Sequence, residues 1–441
     1  MAGGTWKTQN KVRPGSYINI LAAEQESPAA SRRGVMTMPL NLSWGDTGKL
    51  IAVNCDSDVY GTLGYGLNDI LLLREALKRA KTVLLYRVNG GGAKAAATVG
   101  TALTVTAKYA GTRGNDIKVG VAKNVDDNLK FDVTTYVGTK EVETQTVSSI
   151  NGLRANDFVV FSGTGAPAAA AATSLTGGTD AAATAENFAA YFTAAAGADF
   201  DTMAVPVNDS AVKALAVEFA KRMRENEGKK IQVVLPDCPT ADYEGVISVK
   251  NGVVLSDGTV IDKVKAVAWV GGATAGAGVA ESLTYSEYEG AVSVDTVYTN
   301  SEIEAALKAG EFLFTESYGR IATEQDINTL LTYGDAKSYA LSKNRVLRVI
   351  DGYCSDLKKM CDLCYVGKIG NNADGRNTVK AFAIKLAAEY ESLGALQNFD
   401  SESDITVGEG PAIDSMTLTV RLQPVDSVEK IYATITVGEG K

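Results

Sequence analysis

Histidine is absent from all 441 residues, and no other absence in this chain removes as much chemistry. Ser-His-Asp and Cys-His nucleophile pairs are excluded, as is every metal site that uses imidazole, and the commonest general base near neutral pH is missing. Long apolar runs are also absent: no stretch approaches the ~20 residues a spanning helix needs, so no membrane-spanning helix is expected. Basic residues are in the minority, 43 against 52 acidic, for a net charge of −9. That balance argues against a nucleic-acid surface, which draws on clustered Lys and Arg. The opening Met-Ala-Gly-Gly-Thr-Trp-Lys lacks the apolar core of a signal peptide, and the chain is expected to stay in the cytoplasm where it is made. Cysteines number only five. Cys354 and Cys361, seven residues apart on one predicted helix, are separated by about 10.5 Å along its axis, too far for a disulfide or a shared metal. Cys361 and Cys364 could supply two metal ligands, but Cys55 and Cys238 are remote in sequence. Free thiols packed on a helix face, in a reducing compartment, are the expectation. No cofactor and no metal is expected.

What remains is an ordinary globular composition, 45% hydrophobic and 22% charged, in a chain too long for one core. The fold class predicted is a multi-domain α/β (mixed α+β) protein, with an inserted all-β sandwich and extended terminal arms that exchange strands between subunits. An arm covers residues 1–23, and the first part of the α/β core residues 24–93. Here Ile70, Leu73, Leu77 and Ala80 predict a helix capped by Asn68, followed by a buried strand from Thr82 to Val88. The inserted sandwich covers 94–176, with strands at Leu103–Ala107, Phe131–Val133 and Phe158–Phe161, and an Ala-Gly-Pro linker near 163–174. The α/β pattern resumes over 177–342. Asp209 caps a helix that Gly228 ends, Ile231–Leu235 is a buried strand, and Asn251-Gly252 and Asp257-Gly258 are turn signals in a hairpin spanning Val246–Ile261. Ala266–Val270 reads as a strand leading into the glycine-rich Gly271–Gly278, which lacks the Lys-Ser/Thr of a phosphate loop and is read as tight packing. An α+β unit covers 343–412, with one amphipathic helix over Arg345–Cys364. Asp326, Asp351, Asp374 and Glu389 form no acid–base pair, and a solvated or capping role is expected for each.

The terminal segment 413–441 carries the strongest pattern. Met416, Leu418, Val420 and Leu422 alternate with Thr417, Thr419 and Arg421, and after Pro424 a second run alternates Ile431, Ala433, Ile435 and Val437 with Tyr432, Thr434 and Thr436. Period-two alternation marks half-buried strands, and a terminal strand needs a sheet to complete its hydrogen bonds. The nearest edge can belong to another molecule. Either run can be the one that crosses. The arm around Tyr17, Ile18, Asn19 and Ile20 is a third candidate strand. That arm carries Lys7, Lys11 and Arg13 and no acid up to Ala23, whereas Asp400–Lys441 carries eight acids against three bases. Two readings stand: a basic arm steered onto the acidic C-terminal region of a neighbour, or solvated charges with no partner.

Several stretches together resemble the contractile tail sheath family of bacteriophages and R-type bacteriocins. They are Gly3–Trp6 with Lys11–Ile18, then Glu324–Leu330, then Lys343–Asp351 continuing to Tyr365–Ile369 and Asn372–Arg376, and finally Gln423–Tyr432. Ala107–Gly111 with Arg113–Asp116 resembles the family's β-sandwich insertion. The resemblance runs from the first residues to the last, in the same order, and is greatest to sheaths of defective-prophage and bacteriocin particles from Gram-positive bacteria. It implies a non-enzymatic structural subunit that polymerises as a helical stack of rings around an inner tail tube protein, with baseplate and tail terminator proteins as further partners. It also implies rigid subunit rotation into a shorter, wider packing, with each subunit's arms lent to neighbours. About 15 extended residues reach on the order of 50 Å, enough to cross to an adjacent subunit. Two rival readings are a tube, capsid or adhesin subunit and a cytoplasmic α/β enzyme. The helix-rich blocks argue against a tube, and no convergent polar pocket is evident for an enzyme.

Overall fold

In this computed structural model the described residues are 2–4, 15–17, 33–335 and 337–437. A seven-stranded sheet organises the centre, in the spatial order Glu311–Phe312, Val246–Val249, Gln232–Pro236, Thr202–Ala204, Val35–Leu40, Thr82–Arg87, Leu50–Asn54. Every pairing is parallel except the last, where Leu50–Asn54 runs antiparallel against Thr82–Arg87. Parallel strands are covered on both faces, which is why Thr82–Arg87 and Gln232–Pro236 read as continuous apolar runs. One face packs Met36, Met38, Leu85, Val234 and Ile247 against Leu73, Ala76 and Trp269. The other packs Tyr86, Met203, Val233 and Leu235 against the helices Ala185–Ala196 and Ser210–Lys221. Asp209 caps the second of these as expected, its carboxylate accepting from Ala211 N and Val212 N at 2.9 and 3.0 Å.

The segment read as a strand, Ala266–Val270, is instead the middle of a helix, Lys263–Gly276, with every residue from Ala266 to Ala275 buried. A helix buried all round presents the same unbroken apolar run as a buried strand, so periodicity does not separate the two. Asp262 was the usable signal, since its carboxylate accepts from Val264 N and Lys265 N at 3.1 and 3.0 Å. The glycines following the run serve close packing, as expected, but between helices. A Cβ on Gly272 would lie 2.3 Å from Ala76 O, and one on Gly276 2.1 Å from Arg79 O.

Other expectations are corrected more locally. Asn68 is not a cap: it sits in a single 3-10 turn, and the helix starts at Leu71 without a side-chain cap. Asp257-Gly258 does turn a hairpin between Val253–Leu255 and Val260–Ile261. Asn251-Gly252 does not. Asn251 is buried and bonds both ways to Phe314, accepting from its N–H at 2.8 Å and donating to its carbonyl at 2.9 Å. The chain thereby passes from the central sheet to a second, three-stranded one.

The sandwich sits between the third strand of the chain's central sheet and the Ala185–Ala196 helix. Its four-stranded sheet, ordered Lys140–Val147, Phe131–Val137, Ile117–Lys123, Ala170–Ser174, faces a three-stranded one, Val159–Ser162, Leu103–Ala107, Ala96–Val99. The low-complexity stretch read as a linker therefore ends in a strand, paired antiparallel to Ile117–Lys123. Alanine has little strand preference of its own, and the packing decides. Trp44 from the core segment is fully buried in the sandwich, its ring 5.7 Å from that of Phe158.

Candidate assembly site

The C-terminal unit begins with the helix Asn344–Met360, which widens at its end into a π-turn at Cys361–Tyr365, and continues with Ala373–Ser392. Gly352 lets the two helices meet: a Cβ there would stand 2.7 Å from the Tyr390 hydroxyl. All five cysteines are free; Cys55 and Cys364 are exposed and the other three half-buried. Among the described residues no cluster of three or more His, Cys, Asp or Glu could hold a metal ion, and no helix is long and apolar enough to cross a membrane.

On these helices lies an antiparallel hairpin, Ile405–Glu409 against Met416–Val420. Met416, Leu418, Val420 and Leu422 are all half-buried while Thr417, Thr419 and Arg421 are exposed, so the alternation is expressed as read. Val420 and Leu422 pack against the cluster of Val349, Tyr353, Leu386 and Tyr390. Among the described residues the two strands pair only with each other, which leaves both outer edges open. Asn371 and Arg376 hold the hairpin down, Asn371 by donating to Ile413 O and Ser415 O at 2.9 and 2.8 Å, Arg376 through Glu409 at 3.0 Å.

Beyond the hairpin the chain stays attached for a short distance. Gln397 N donates to Gln423 O at 3.0 Å and Val425 N to Ala395 O at 2.9 Å. Then comes one specific contact. Glu429 enters a socket made by Lys343, Gln325 and Thr284: it forms an ion pair with Lys343, and its carboxylate accepts from Gln325 Nε2 at 2.5 Å and Thr284 Oγ1 at 2.9 Å. Burial alone would raise the Glu429 carboxyl, but the hydrogen bonds from Lys343, Gln325 and Thr284 outweigh it and hold the group below the usual glutamate range. After Glu429 every described residue is exposed and none belongs to a strand: Ile431 is 83% exposed, and Ile435 and Val437 are 88%.

The socket stands on buried polar structure that local sequence does not reveal. Asp326 and Asp351 are buried ion-pair partners, not solvated or capping groups. Asp326 takes Arg348 Nη2 at 2.7 Å, Asn344 Nδ2 at 2.9 Å and Leu283 N at 3.0 Å. Asp351 is held bidentately by Arg224 at 2.6 and 2.9 Å. Burial would lower the Arg224 guanidinium, yet Asp351 beside it keeps it raised and charged. In each case the arginine lies far from its partner in sequence or one helix away, and no motif announces it. Glu389, by contrast, is half-buried on the Ala373–Ser392 helix, where it pairs with Lys385 at 3.8 Å, and Asp374 lies exposed in its first turn.

Of the residues expected to exchange strands, Met416, Leu418 and Val420 lie in the home hairpin, Leu422 just beyond it, and Ile431 and Ile435 in the uncovered tail. The backbone of Gly15–Tyr17 pairs in parallel with Ala2–Gly4, Tyr17 opposite Gly4. Ile18, Asn19 and Ile20, and the basic residues Lys7, Lys11 and Arg13, lie outside the described residues. Glu429 itself was missed; it lies between the two alternating runs, where neither period nor spacing singles it out.

This architecture, a three-layer α/β core interrupted by a β-sandwich and closed by a helical unit with an open-edged hairpin, is that of a tail sheath subunit. The chain belongs to the phage tail sheath protein family. Residues 33–88 match the N-terminal region of tail sheath protein Gp18 domain III, 90–180 the sheath β-sandwich domain, 181–329 the sheath central domain and 336–438 the sheath C-terminal domain. It is 50% identical to the crystal structure of a sheath tail protein from Desulfitobacterium hafniense, with a TM-score of 0.86 over 95% of this chain and 99% of that one. The phage-like element PBSX protein XkdK of Bacillus subtilis is 36% identical over 99% of this chain and 100% of its own length. The helical sheath of the anti-feeding prophage in its contracted state shares the fold, at 15% identity and a TM-score of 0.57 over 97% of this chain and 99% of that one.

Proposed function

We propose that this sheath subunit polymerises as stacked rings around an inner tube and contracts by rigid subunit rotation, its rings linked by strands donated between neighbours. The observation that carries the reading is the tail after Glu429. An alternating apolar segment with β-branched residues and no cover is unfavourable in an isolated subunit, and a sheet edge removes the cost. Open edges of a suitable kind flank the Ile405–Glu409 and Met416–Val420 pair. The crossing strand in this reading is Lys430–Val437, because Met416–Val420 is already paired at home. Donation of this kind is heterologous, so repetition yields an open filament, not a closed ring. Baseplate and terminator proteins then meet the two ends of the stack, and the inner tube its bore.

Deleting residues 430–441 tests this directly. The truncated chain is expected to fold with an unchanged melting temperature and to remain as single subunits by sedimentation, while the full chain forms striated hollow tubes by electron microscopy. Tubes of normal length from the truncated chain refute strand donation by the tail.

A further inference from the structure

We infer that Glu429 is the fixed root of the C-terminal arm, and that the stretch from Thr274 to Thr284 joins this root to the anchorage at Arg33, just before the core strand Val35–Leu40. The inference rests on the assembly reading above and supplies the positioning residue through which it works. Among the described residues, the last backbone hydrogen bond between the arm and the body is Val425 N to Ala395 O, and the side-chain hydrogen bonds and ion pair to the body after it are those of the Glu429 socket. Without the socket the free arm would begin four residues earlier. Four extended residues span about 13 Å, whereas neighbouring strands in a sheet are about 4.8 Å apart. That slack is wide enough to lose both the edge and the register that a donated strand must find.

The second half of the inference concerns what the socket stands on. Arg33 donates through Nη2 to Thr274 O at 3.1 Å and through Nε to Ala277 O at 3.2 Å, at the C-terminal end of the buried helix. Asp201 fixes the next residues, accepting from Gly34 N at 2.9 Å and Val35 N at 3.0 Å, and pairs with Arg33 at 3.6 Å. From Ala277 the chain runs to Thr284, the hydroxyl that binds Glu429. It is pinned midway: Arg348 Nη2 donates to Glu281 O at 2.9 Å and to Asp326 at 2.7 Å, and Asp326 accepts from Leu283 N and donates its own N–H to Thr284 Oγ1 at 3.0 Å. Glu429 and Arg33 thus grip one short ribbon, tied to the core by Arg348 and Asp326. A pull on either arm is delivered to the other through it, so connected rings can rotate without the two roots drifting apart.

The experiment is hydrogen exchange on full-length single subunits under non-polymerising conditions, followed by electron microscopy after polymerisation. E429Q is expected to raise exchange at Val425 tenfold or more, to raise it measurably at Gly34 and Val35, and to give fewer and shorter tubes. The paired variant K343E with E429K restores wild-type protection, which a merely structural loss would not. Q325L removes one donor, keeps the ion pair and shows the same changes in smaller measure, so the test survives if E429Q does not fold. Wild-type protection at Val425 in E429Q, or tubes of normal number and length, overturns the root; protection unchanged at Gly34 and Val35 overturns the bridge. Failure of the assembly reading is distinct from both: tubes then form from the chain lacking 430–441, whatever the exchange at Val425.

Discussion

A carboxylate gripped by an ammonium, an amide and a hydroxyl titrates with its surroundings, and for Glu429 the direction is downward. Its folded pKa lies below the free value of about 4.3. The stability it contributes is therefore fully present above the free value and is lost as pH falls through the folded one. Urea melts of wild type and E429Q should differ most at neutral pH and converge in acid; a gap independent of pH excludes a charged Glu429 in the socket. Residues of this kind were the least legible in the sequence. Asp326 and Asp351 looked like two of many carboxylates because burial depends on Arg348 and Arg224, which only the fold places beside them. Glu429 was hidden for the same reason, its partners lying more than eighty residues away.

Elements were legible where one face is wet and obscure where none is. Met416 to Leu422 alternates because one side rests on the helices and the other meets water, and its period survived into the structure. The helix Lys263–Gly276 has no wet side, so its apolar run passed for a strand. Its glycines give an element-scale prediction. Gly272→Ala improves helix propensity by up to about 1 kcal/mol, but its Cβ would stand 2.3 Å from the Ala76 carbonyl, an overpacking that costs roughly 1–3 kcal/mol. The clash wins because the neighbour is backbone and cannot rotate away. Thermal melts should show Tm lowered by several degrees; a raised Tm would mean that the Leu71–Leu77 helix shifts freely.

At the scale of the whole molecule, the charge asymmetry between the two ends is narrower than the sequence implies. Glu409 is taken by Arg376 and Glu429 by Lys343, and Asp400 is engaged by its own turn, accepting from Glu402 N and Ser403 Oγ. Exposed acids remain at Glu402, Asp414 and Asp426, and they are what a basic arm would meet. Reversing the charge of Lys7, Lys11 and Arg13 together should slow polymerisation by roughly tenfold at low salt, with the difference vanishing once the screening length falls to about 8–10 Å. Light-scattering kinetics that match wild type at every ionic strength remove steering from the account. The central sheet has one further consequence, in time. Its strands at Val35–Leu40 and Thr202–Ala204 are neighbours in space, and it is completed only by Glu311–Phe312. The uncovered tail after Glu429 lies more than a hundred residues further on. At about 5–20 residues per second, the ribosome presents the adhesive segment several seconds after the last strand of the core, so each subunit has the chance to close its own sheet before it can reach for another's.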